Sequence, residues 1–526
     1  MNHIKSLSIK GFKKFTSLKV RFNEHTNILV GENEAGKSTI LDAIRTVLNQ
    51  QYRNADKSVL RDLFNTHMVT AFQENPSIIT LPQIVIEVEL LLDPQQKNAS
   101  YFYGEVYGQR IRQTEKYGIR FECKYDEELG AGMEQSILEG KIPYEYYALT
   151  WTTFANRPYQ MIKRPLGFLS IDITNSATAP SFNYYNRTLF TSKYNETTRA
   201  KAKNEFRTKL EDALEAANLP PISENRKFGI DSKKVILETV LSVYEDSIAL
   251  ENRGSGMESL IKTQIALERA NGLDLILMEE PENHLSFSTL RKMLEDISNQ
   301  QEHSQLIIAT HNNMIASRLN LNNILWITED GVKSLETVPS DVAEFFVRAD
   351  DNAFLQLLLS QKVFLVEGAT EFLLLPMFYR QITGSSIEAD NISVISCNGI
   401  SYKRYLEVAK STNKRIAVIT DNDGKTDRIT DAREYNQSND LQHIFMGATV
   451  DEWTWEACIY ADNQKTLDRM ITVRQGTDYK FHGRDYGPVL GKMLNSKVEI
   501  AYQILTSNIA LTVPQYIKDA IEWLRK

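Results

Sequence analysis

The chain has 526 residues, of which 42% are hydrophobic and 24% are charged, and its formal net charge at pH 7 is -8. This length exceeds what a single core usually organises, so we expect two or more domains. The acidic average excludes a uniformly basic nucleic-acid binder but allows a local basic groove. The three cysteines are widely spaced, which argues against a disulfide framework or a cysteine zinc site. Since no signal pattern or long apolar run is present, we expect a soluble, cytoplasmic protein without membrane contact.

The first motif follows two strand-like segments. Residues 4–12 and 18–22 alternate apolar and polar side chains, which predicts half-buried strands. A further apolar strand then runs into residues 31–39, with the sequence Gly-Glu-Asn-Glu-Ala-Gly-Lys-Ser-Thr, and an apolar period typical of a helix follows. The G-x4-G-K-[ST] pattern in this context predicts a phosphate-binding loop. The alternative is a chance glycine turn that caps a helix.

In such a loop, backbone N–H groups and the helix N-terminus bind phosphate oxygens. We therefore expect ATP at this loop, with Lys37 on the β- and γ-phosphates and the Ser38 hydroxyl on Mg²⁺. The other expected nucleotide contacts are Gly31, Asn33, Gly36 and Thr39.

The middle of the chain mixes strands and helices. Residues 83–90 and 146–154 predict strands, with a turn-rich segment between them. Residues 197–217 predict a charged helix inside an insertion of about residues 185–225. A solvated helical hairpin and a dimerisation arm are both compatible with this insertion.

Two later strands complete the predicted ATP site. Residues 273–278 form an apolar run that ends in the paired acids Glu279 and Glu280, a Walker B pattern. We expect Glu279 to serve the metal and Glu280 to orient the attacking water. Residues 305–310 predict a further strand, after which His311 would sense the γ-phosphate. The alternatives are an ordinary acidic strand end and a structural histidine.

A glycine-bearing helix start at residues 253–258 lies before the Walker B strand, and it would expose N–H groups near Ser255 and Gly256. The order of these motifs resembles ABC-type ATPase heads of the SMC and RecF kind. The resemblance implies that two heads enclose ATP and that Ser255 and Gly256 complete the partner's site. The segment departs from the usual L-S-G-G-Q signature, and no Q-loop glutamine is identified.

The C-terminal part contains a second acidic constellation. A strand at residues 363–366 ends at Glu367, and Glu371 follows in the first turn of a helix. Another strand, at residues 415–420, ends in the pair Asp421 and Asp423, which should face the same way on an extended chain. Carboxylates at adjacent parallel strand ends select Mg²⁺ or Mn²⁺, and this predicts phosphodiester chemistry.

The glutamate strand and the D-x-D pattern resemble a Toprim domain, and Val366-Glu367-Gly368-Ala369-Thr370-Glu371 is similar to the nuclease version in the OLD (overcoming lysogenisation defect) family. By this resemblance Glu456 is a further metal ligand and Lys497 a cation that stabilises the transition state. A solvated helix lysine is the alternative for Lys497. The expected fold class is α/β, with an ABC-type head at residues 1–350, a linker near residues 341–352, and a Toprim domain at residues 360–526.

The family resemblance implies an ATP-dependent, Mg²⁺- or Mn²⁺-dependent endonuclease for double-stranded DNA, working as a homodimer or larger assembly. It also implies a role in anti-phage defence or DNA processing, with a helicase or a retron reverse transcriptase and its DNA or RNA as partner. A topoisomerase-like strand passer and a structural SMC-like ATPase with an inactive Toprim domain are the alternatives. Residues 465–497 carry a local basic surplus with interleaved aromatic residues, which predicts a DNA track or, alternatively, an ordinary mixed surface.

Overall fold

The strands and helices lie in the part of the chain that the computed structural model describes: residues 1–105, 115–130, 132–172, 186–187, 189–191, 193–231, 235–249, 273–283, 285–300, 304–348, 353–397, 401–410, 412, 414–474, 476–507 and 509–526. Two units are formed. The N-terminal unit comprises Met1–His311 and Asn323–Lys333, and the C-terminal unit comprises Asn312–Asn322 and Ser334–Lys526. Across the described helices, none is both long and apolar enough to cross a bilayer.

The chain up to Ser334 is rich in strands. In chain order these are β1 (His3–Phe12), β2 (Phe15–Arg21), β3 (Thr26–Val30), β4 (Ile84–Leu91), β5 (Tyr103–Glu105), β6 (Glu115–Tyr125), β7 (Tyr147–Thr153), β8 (Phe168–Asp172), β9 (Tyr244–Glu245), β10 (Ile248–Ala249), β11 (Leu275–Glu279), β12 (Gln305–Ala309), β13 (Ile324–Thr328) and β14 (Gly331–Ser334). The helices of the same stretch are α1 (Lys37–Asn49), α2 (Leu60–Leu63), α3 (Thr66–Glu74), α4 (Glu134–Leu138), α5 (Glu196–Ala216), α6 (Leu237–Val240), α7 (Phe287–Gln300) and α8 (Asn313–Arg318).

Two main sheets build the N-terminal unit. The first is antiparallel, in the order β2-β1-β4-β6-β5, with β7 also paired to β6. The second has the order β14-β13-β3-β12-β11-β8, and its strands from β13 to β8 pair in parallel. Every residue of β3, β11 and β12 is buried, as expected for parallel strands covered on both faces. The carboxyl ends of these three strands therefore meet at one edge of the sheet.

Helix α1 connects the phosphate-loop segment to the core. Its apolar residues are buried, and the helix lies against strands of both sheets. The indole N–H of Trp151 donates to the backbone oxygen of Thr46 at 2.9 Å, and the hydroxyl of Tyr159 donates to that of Leu48 at 3.2 Å. These contacts fix the axis of α1 and, with it, the position of the preceding loop.

The predicted helix in the insertion is confirmed as α5. Asn195 caps it by accepting a hydrogen bond from the Thr198 N–H at 2.8 Å. No residue of α5 is buried, so the helix is solvated along its length. This observation is compatible with both a helical hairpin and a dimerisation arm.

The C-terminal unit contains a parallel sheet. Its strands are β15 (Lys362–Val366), β16 (Ile392–Ser396), β17 (Arg415–Ile419) and β18 (Gln442–Phe445), in the order β16-β15-β17-β18. The later helices are α9 (Ser340–Arg348), α10 (Phe354–Leu359), α11 (Ala369–Thr383), α12 (Tyr402–Lys410), α13 (Thr426–Ser438), α14 (Trp455–Met470), α15 (Pro488–Asn495), α16 (Lys497–Ser507) and α17 (Gln515–Arg525). The chain passes from β15 to β16 on one side and then to β17 on the other, so β15 lies at a topological switch point where ligands usually bind.

Two expectations about chain organisation are wrong. The segment predicted as turn-rich contains β6, which pairs with both β4 and β7 and buries Ile119 and Phe121. The predicted linker overlaps α9, in which Val342 and Phe346 are buried. In both places tertiary burial outweighed the polar and turn-forming composition that suggested irregular structure. The α/β fold class is confirmed.

Candidate functional site

The phosphate-loop segment has the backbone that its glycines permit. Gly36 precedes α1 with a φ of 104°, a conformation that residues with a side chain rarely adopt. A Cβ atom at this position would lie 2.3 Å from the ring of Phe15. Only glycine therefore fits between the loop and β2, and the loop forms a cradle whose open side is lined by N–H groups at the start of α1.

Lys37 begins α1 and turns back over this loop. Its ammonium donates to the backbone oxygens of Gly31 at 3.0 Å and Glu32 at 3.1 Å. Burial lowers the pKa of Lys37, whereas the carboxylates of Glu280, Glu282 and Glu279 oppose that change. The predicted loop residues Asn33 and Ser38 are exposed, and Thr39 is buried.

Glu279 ends β11 and lies beside a cation that the sequence analysis missed. The guanidinium of Arg45 on α1 donates to Glu279 Oε2 at 3.0 Å. It also donates to Asp42 Oδ1 at 2.9 Å and to the Ser170 hydroxyl at 2.9 Å. Helix α1 has three charged residues, which are Lys37, Asp42 and Arg45. The charges of Asp42 and Arg45 within its apolar pattern were the sequence signal for this ion pair.

Glu280 and His311 are brought together as the motif order predicts. The His311 Nε2 and Glu280 Oε1 atoms are 3.0 Å apart, and Asn283 donates to Glu280 Oε2 at 2.7 Å. Glu280 has a φ of 45°, and its N–H donates to the backbone oxygen of Ala309 at 2.8 Å. This turn holds the Glu280 carboxylate at the edge where β3, β11 and β12 end.

Glu282 lies at the same edge and was not assigned from sequence. Its Oε1 atom accepts from the Thr310 hydroxyl at 2.5 Å and from the His311 N–H at 3.2 Å. The Oε2 atom is buried without a hydrogen-bond partner. An orphaned acceptor beside the glycine cradle and two further carboxylates fits a nucleotide with its divalent ion. The predicted contacts Ser255 and Gly256 lie outside the described residues.

The second acidic constellation gathers at the switch point of the C-terminal sheet. Glu367, directly after β15, accepts from the Thr420 hydroxyl at 2.7 Å and from the Asp421 N–H at 3.3 Å. Asp421, just beyond β17, accepts from the Trp455 N–H at the start of α14 at 2.8 Å. Glu371 accepts from the Gly368 N–H at 3.2 Å. Four elements, β15, α11, β17 and α14, thus carry carboxylates that border one crevice. We call these side chains the carboxylate cluster: Glu367, Glu371, Asp421 and Glu456.

The carboxylates of this cluster repel one another. Burial raises the pKa of Glu371 to about 7, and the charges of Glu456 and Glu367 add to the rise. Burial likewise raises the pKa of Asp421 to about 8, with Glu371, Glu456 and Glu367 contributing repulsion. The cluster therefore holds protons near neutral pH unless a cation replaces them.

Lys497 supplies part of the missing positive charge. Its ammonium lies 2.9 Å from Glu456 Oε2, and the Glu456 side chain is only 4% exposed. Burial lowers the pKa of Lys497, but Glu456, Asp421 and Glu371 outweigh burial, and the net shift is upward. The alternative of a helix lysine whose ammonium contacts only water is therefore wrong, because this ammonium is ion-paired within the cluster.

Asp423 does not lie as an extended chain would place it. The chain turns after β17, and Asp423 has a φ of 53° with its carboxylate bonded to Arg428. Asn422 drives the turn, since its amide donates to the backbone oxygens of Gly447, Thr449 and Glu452 at 3.0, 2.9 and 3.1 Å. The expectation that Asp421 and Asp423 converge by alternation is therefore wrong. Arg428, which follows in α13, had no sequence signal.

The chemistry of the cluster fits a divalent cation. Its donors are all carboxylate oxygens, which Mg²⁺ and Mn²⁺ prefer, and a cation would relieve their repulsion. Within the described residues no three such side chains already converge as a metal-holding group. A cavity of about 220 Å³ adjoins the cluster, and its lining includes Glu367, Thr420, Tyr402 and Arg428.

Comparisons with known proteins match both parts of the chain. Residues 6–325 match the family model of an AAA domain, and residues 358–423 match the Toprim domain of overcoming lysogenization defect protein-like sequences. The DNA replication and repair protein RecF of Lactobacillus johnsonii is 30% identical over 99 residues, which cover 18% of this chain and 25% of RecF. The Old nuclease of Escherichia phage P2 is 28% identical over 136 residues, which cover 24% of this chain and 23% of the nuclease. The chain thus spans about a quarter of the length of these curated relatives.

Solved structures with partial likeness are SMC heads. The SMC head domain from Thermotoga maritima is 16% identical and covers 62% of this chain and 95% of its own, with a TM-score of 0.30. The Smc head domain derived from Pyrococcus furiosus, bound to the C-terminal domain of ScpA, is 16% identical and covers 66% and 100%, with a TM-score of 0.34.

The domain matches agree with the two sites found in the structure. An ATPase domain of the AAA type contains the glycine cradle and the Glu280–His311 pair, and an OLD-like Toprim match contains Glu367, Glu371 and Asp421. Domains of these two kinds use a nucleotide and a divalent metal. The chain belongs to the AAA-domain family, whose model matches more than half of it, and its second match fits the OLD arrangement, in which an ATPase domain precedes a Toprim domain.

Proposed function

We propose that this chain is an ATP-dependent, divalent-metal-dependent endonuclease that hydrolyses phosphodiester bonds of double-stranded DNA. The observation that carries the proposal is the position of Glu367, Glu371 and Asp421 at one sheet edge, where burial and mutual repulsion raise the pKa values of Glu371 and Asp421 to about 7 and about 8. Holding repelling acids together at a sheet edge costs free energy, and recruitment of cations offsets that cost. The Old nuclease relative and the Toprim match support the same class of reaction.

The carboxylates and the lysine would divide the work at the cleavage site. Bound there, divalent ions would activate the attacking water and neutralise the leaving oxygen. The residues proposed to hold them are Glu367, Glu371, Asp421 and Glu456, and Asp423 would join them only after leaving Arg428. Lys497, which is paired with Glu456 in the cluster, would stabilise negative charge on the phosphate.

The nucleotide site would gate this reaction. Lys37 and the loop N–H groups would bind the phosphates of ATP, while Ser38 and Glu279 would hold its Mg²⁺. Glu280 would orient the attacking water, and His311, in contact with it at 3.0 Å, would fix the carboxylate and contact the γ-phosphate. We further propose that two heads enclose ATP, that Ser255 and Gly256 complete the partner's site, and that the protein is a homodimer or larger. The proposed ATPase domain is residues 1–350 and the Toprim domain residues 360–526.

The proposed biological setting is anti-phage defence or DNA processing. A helicase, or a retron reverse transcriptase with its DNA or RNA, is the proposed partner. Co-purification of the chain with each candidate, with and without ATP, tests this part separately from the chemistry.

Plasmid cleavage tests the proposed activity. We would titrate Mg²⁺ and Mn²⁺ with and without ATP and compare the parent with Asp421→Asn, which preserves shape but removes the charge. Asp427→Asn is the matched control, since Asp427 is exposed in the first turn of α13. We expect the parent and the control to cut and Asp421→Asn to hydrolyse ATP without cutting. Parental cleavage by Asp421→Asn would contradict the assignment of the carboxylate cluster.

A strand-passing enzyme is the second candidate, because it would need a nucleophilic tyrosine and Tyr402 lines the cavity beside Glu367. Burial raises the pKa of Tyr402, which opposes formation of a phenolate. Denaturant added during cleavage distinguishes the two reactions. Hydrolysis leaves free DNA ends, whereas a protein–DNA adduct lost in Tyr402→Phe would establish the covalent tyrosine intermediate that strand passage requires. A structural ATPase with an inactive Toprim domain would cut under neither condition.

A further inference from the structure

Three aromatic side chains cluster beside the carboxylate cluster. The ring of Trp453 lies 5.2 Å from that of Tyr486 and 6.2 Å from that of Phe481, at interplanar angles of 34° in both pairs. All three side chains are partly exposed. We call them the aromatic platform, defined as Trp453, Phe481 and Tyr486.

Hydrogen bonds fix the backbone around Phe481 of the aromatic platform. Phe481 and Arg484 exchange backbone hydrogen bonds of 3.0 Å around His482 and Gly483, whose φ values are 46° and 78°. This is a two-residue hairpin turn of the tightest kind. The preceding strand-like segment is tied to α15, because the Asn495 amide donates to the backbone oxygens of Tyr479 and Lys480 at 3.3 and 3.2 Å. The backbone that carries Phe481 is therefore fixed by hydrogen bonds before a planar ligand stacks on the ring.

The platform is joined directly to the turn that carries the D-x-D acids. The N–H of Asp423 donates to the backbone oxygen of Trp453 at 3.1 Å. Two residues further on, the N–H of Trp455 donates to Asp421. The same short segment thus presents an aromatic ring on one side and orients a carboxylate of the proposed cleavage site on the other.

The charges around the platform suit a nucleic acid. Arg484 is exposed, and its guanidinium pairs with no carboxylate of the described residues. Lys480 has only a loose contact with Asp478, at 3.5 Å. The nearby acids are engaged in turns, since Asp478 accepts from the Lys480 N–H at 3.0 Å and Asp485 from the Gly487 N–H at 2.9 Å. The cations are therefore available to phosphates.

We propose that the aromatic platform binds an unpaired nucleobase of the DNA strand that enters the carboxylate cluster, with Arg484 and Lys480 on the flanking phosphates. This inference rests on the proposed function and names the form of DNA that the site prefers. Aromatic rings stack on base faces, and in a continuous duplex neighbouring bases cover those faces. A frayed end, a bulge or a single-stranded stretch exposes them. The protein should accordingly favour DNA with unpaired bases at the site of cleavage.

Binding of fluorescent DNA tests the platform without cleavage. The probes are two short duplexes of the same length, fully paired or with a central bulge, each carrying 2-aminopurine at the centre. The protein is the Asp421→Asn variant in a chelator, so that the probe stays intact. The test variant adds Phe481→Leu and Tyr486→Leu, which keep apolar volume but remove the aromatic faces. Tyr502→Leu, which alters an aromatic side chain that is 61% exposed on α16, is the matched control.

We expect the unaltered platform to bind the bulged duplex about tenfold or more tightly than the paired one and to quench 2-aminopurine by stacking. Phe481→Leu with Tyr486→Leu should abolish both the preference and the quenching, whereas Tyr502→Leu should retain them. Equal binding of the two duplexes by the unaltered platform, or a preference that survives the double substitution, would overturn the proposal. Plasmid cleavage by the parent with divalent ions tests the proposed function separately. If the parent does not cut, the proposed function fails, whatever the DNA-binding result.

Discussion

Raising the pH in the presence of a chelator should destabilise the C-terminal unit. Glu371 and Asp421 have pKa values of about 7 and about 8 in the folded protein. In the unfolded chain both carboxyls have pKa values near 4 and are ionised at neutral pH. The folded state therefore binds more protons. Because both folded pKa values are raised, the stabilisation is fully present below the unfolded values and is lost as the pH rises through about 7 to 8.

The size of the effect follows from proton linkage. For independent groups with these two pKa values, the loss of unfolding free energy between about pH 6 and about pH 9 is on the order of 4 kcal/mol, with Asp421 contributing the larger share. For a unit of this size, such a change shifts the melting temperature by roughly 10 °C. Divalent ions should reverse it, since they bind the ionised carboxylates and compete with protons.

Urea unfolding at several pH values, followed by tryptophan fluorescence, measures how the unfolding free energy changes with pH. Trp453 and Trp455 flank the site and report its unfolding. Asp421→Asn is the matched variant, because an amide cannot ionise, and it should remove most of the pH dependence. A chelated parent that is as stable at pH 9 as at pH 6, or an Asp421→Asn variant with the parental slope, would refute the reasoning.

Three further predictions concern charged residues of the nucleotide site, the carboxylate cluster and the basic residues 465–497. Lys37→Ala should weaken ATP binding, whereas Glu280→Gln should bind ATP and hydrolyse it slowly, since only the second keeps the phosphate cradle; equal affinity losses in a nucleotide-binding titration would contradict the role of Glu280. Lys497→Met should lower the unfolding free energy by roughly 3 kcal/mol, because Glu456 is left buried without its cation, and adding Glu456→Gln should recover most of the loss in urea unfolding. Neutralising four cations of residues 465–497 should reduce the slope of log binding constant against log salt concentration by roughly 0.9 per lost phosphate contact. The four cations are Arg469, Arg474, Lys480 and Arg484. An unchanged slope would place the DNA track elsewhere.

Much of the structure could be predicted because its signals are local. Apolar runs that end before glycine or acidic residues predicted β3, β11, β15 and β17 and the loops that follow them. The placement of Glu280 beside His311 also followed, since parallel strands bring their carboxyl ends to one edge. Strand β6 was missed because it contains Gly118 and several charged residues, and its pairing on both sides overrides that composition.

The cations that neutralise the acids could not be predicted in the same way. Arg45 reaches Glu279 across 234 residues of sequence, and Arg428 meets Asp423 only because Asn422 turns the chain. Extended geometry placed Asp423 beside Asp421, but the amide of Asn422 finds three backbone acceptors in the loop before α14, and these bonds decide the conformation. Such long-range hydrogen bonds leave no periodic signal in the sequence.

Lys497 should couple the binding of the two ligands of the proposed nuclease site, which are the divalent ion and the DNA. Lys497 is drawn in by Glu456, Asp421 and Glu371, and its ammonium is bonded to Glu456. When Glu456 turns toward a divalent ion, Lys497 loses that partner and becomes available to a DNA phosphate at the same crevice. A phosphate that engages Lys497 in turn frees Glu456 for the ion. Because linkage is reciprocal, metal and DNA should each tighten the binding of the other, and Lys497→Met should remove this coupling while each ligand still binds alone.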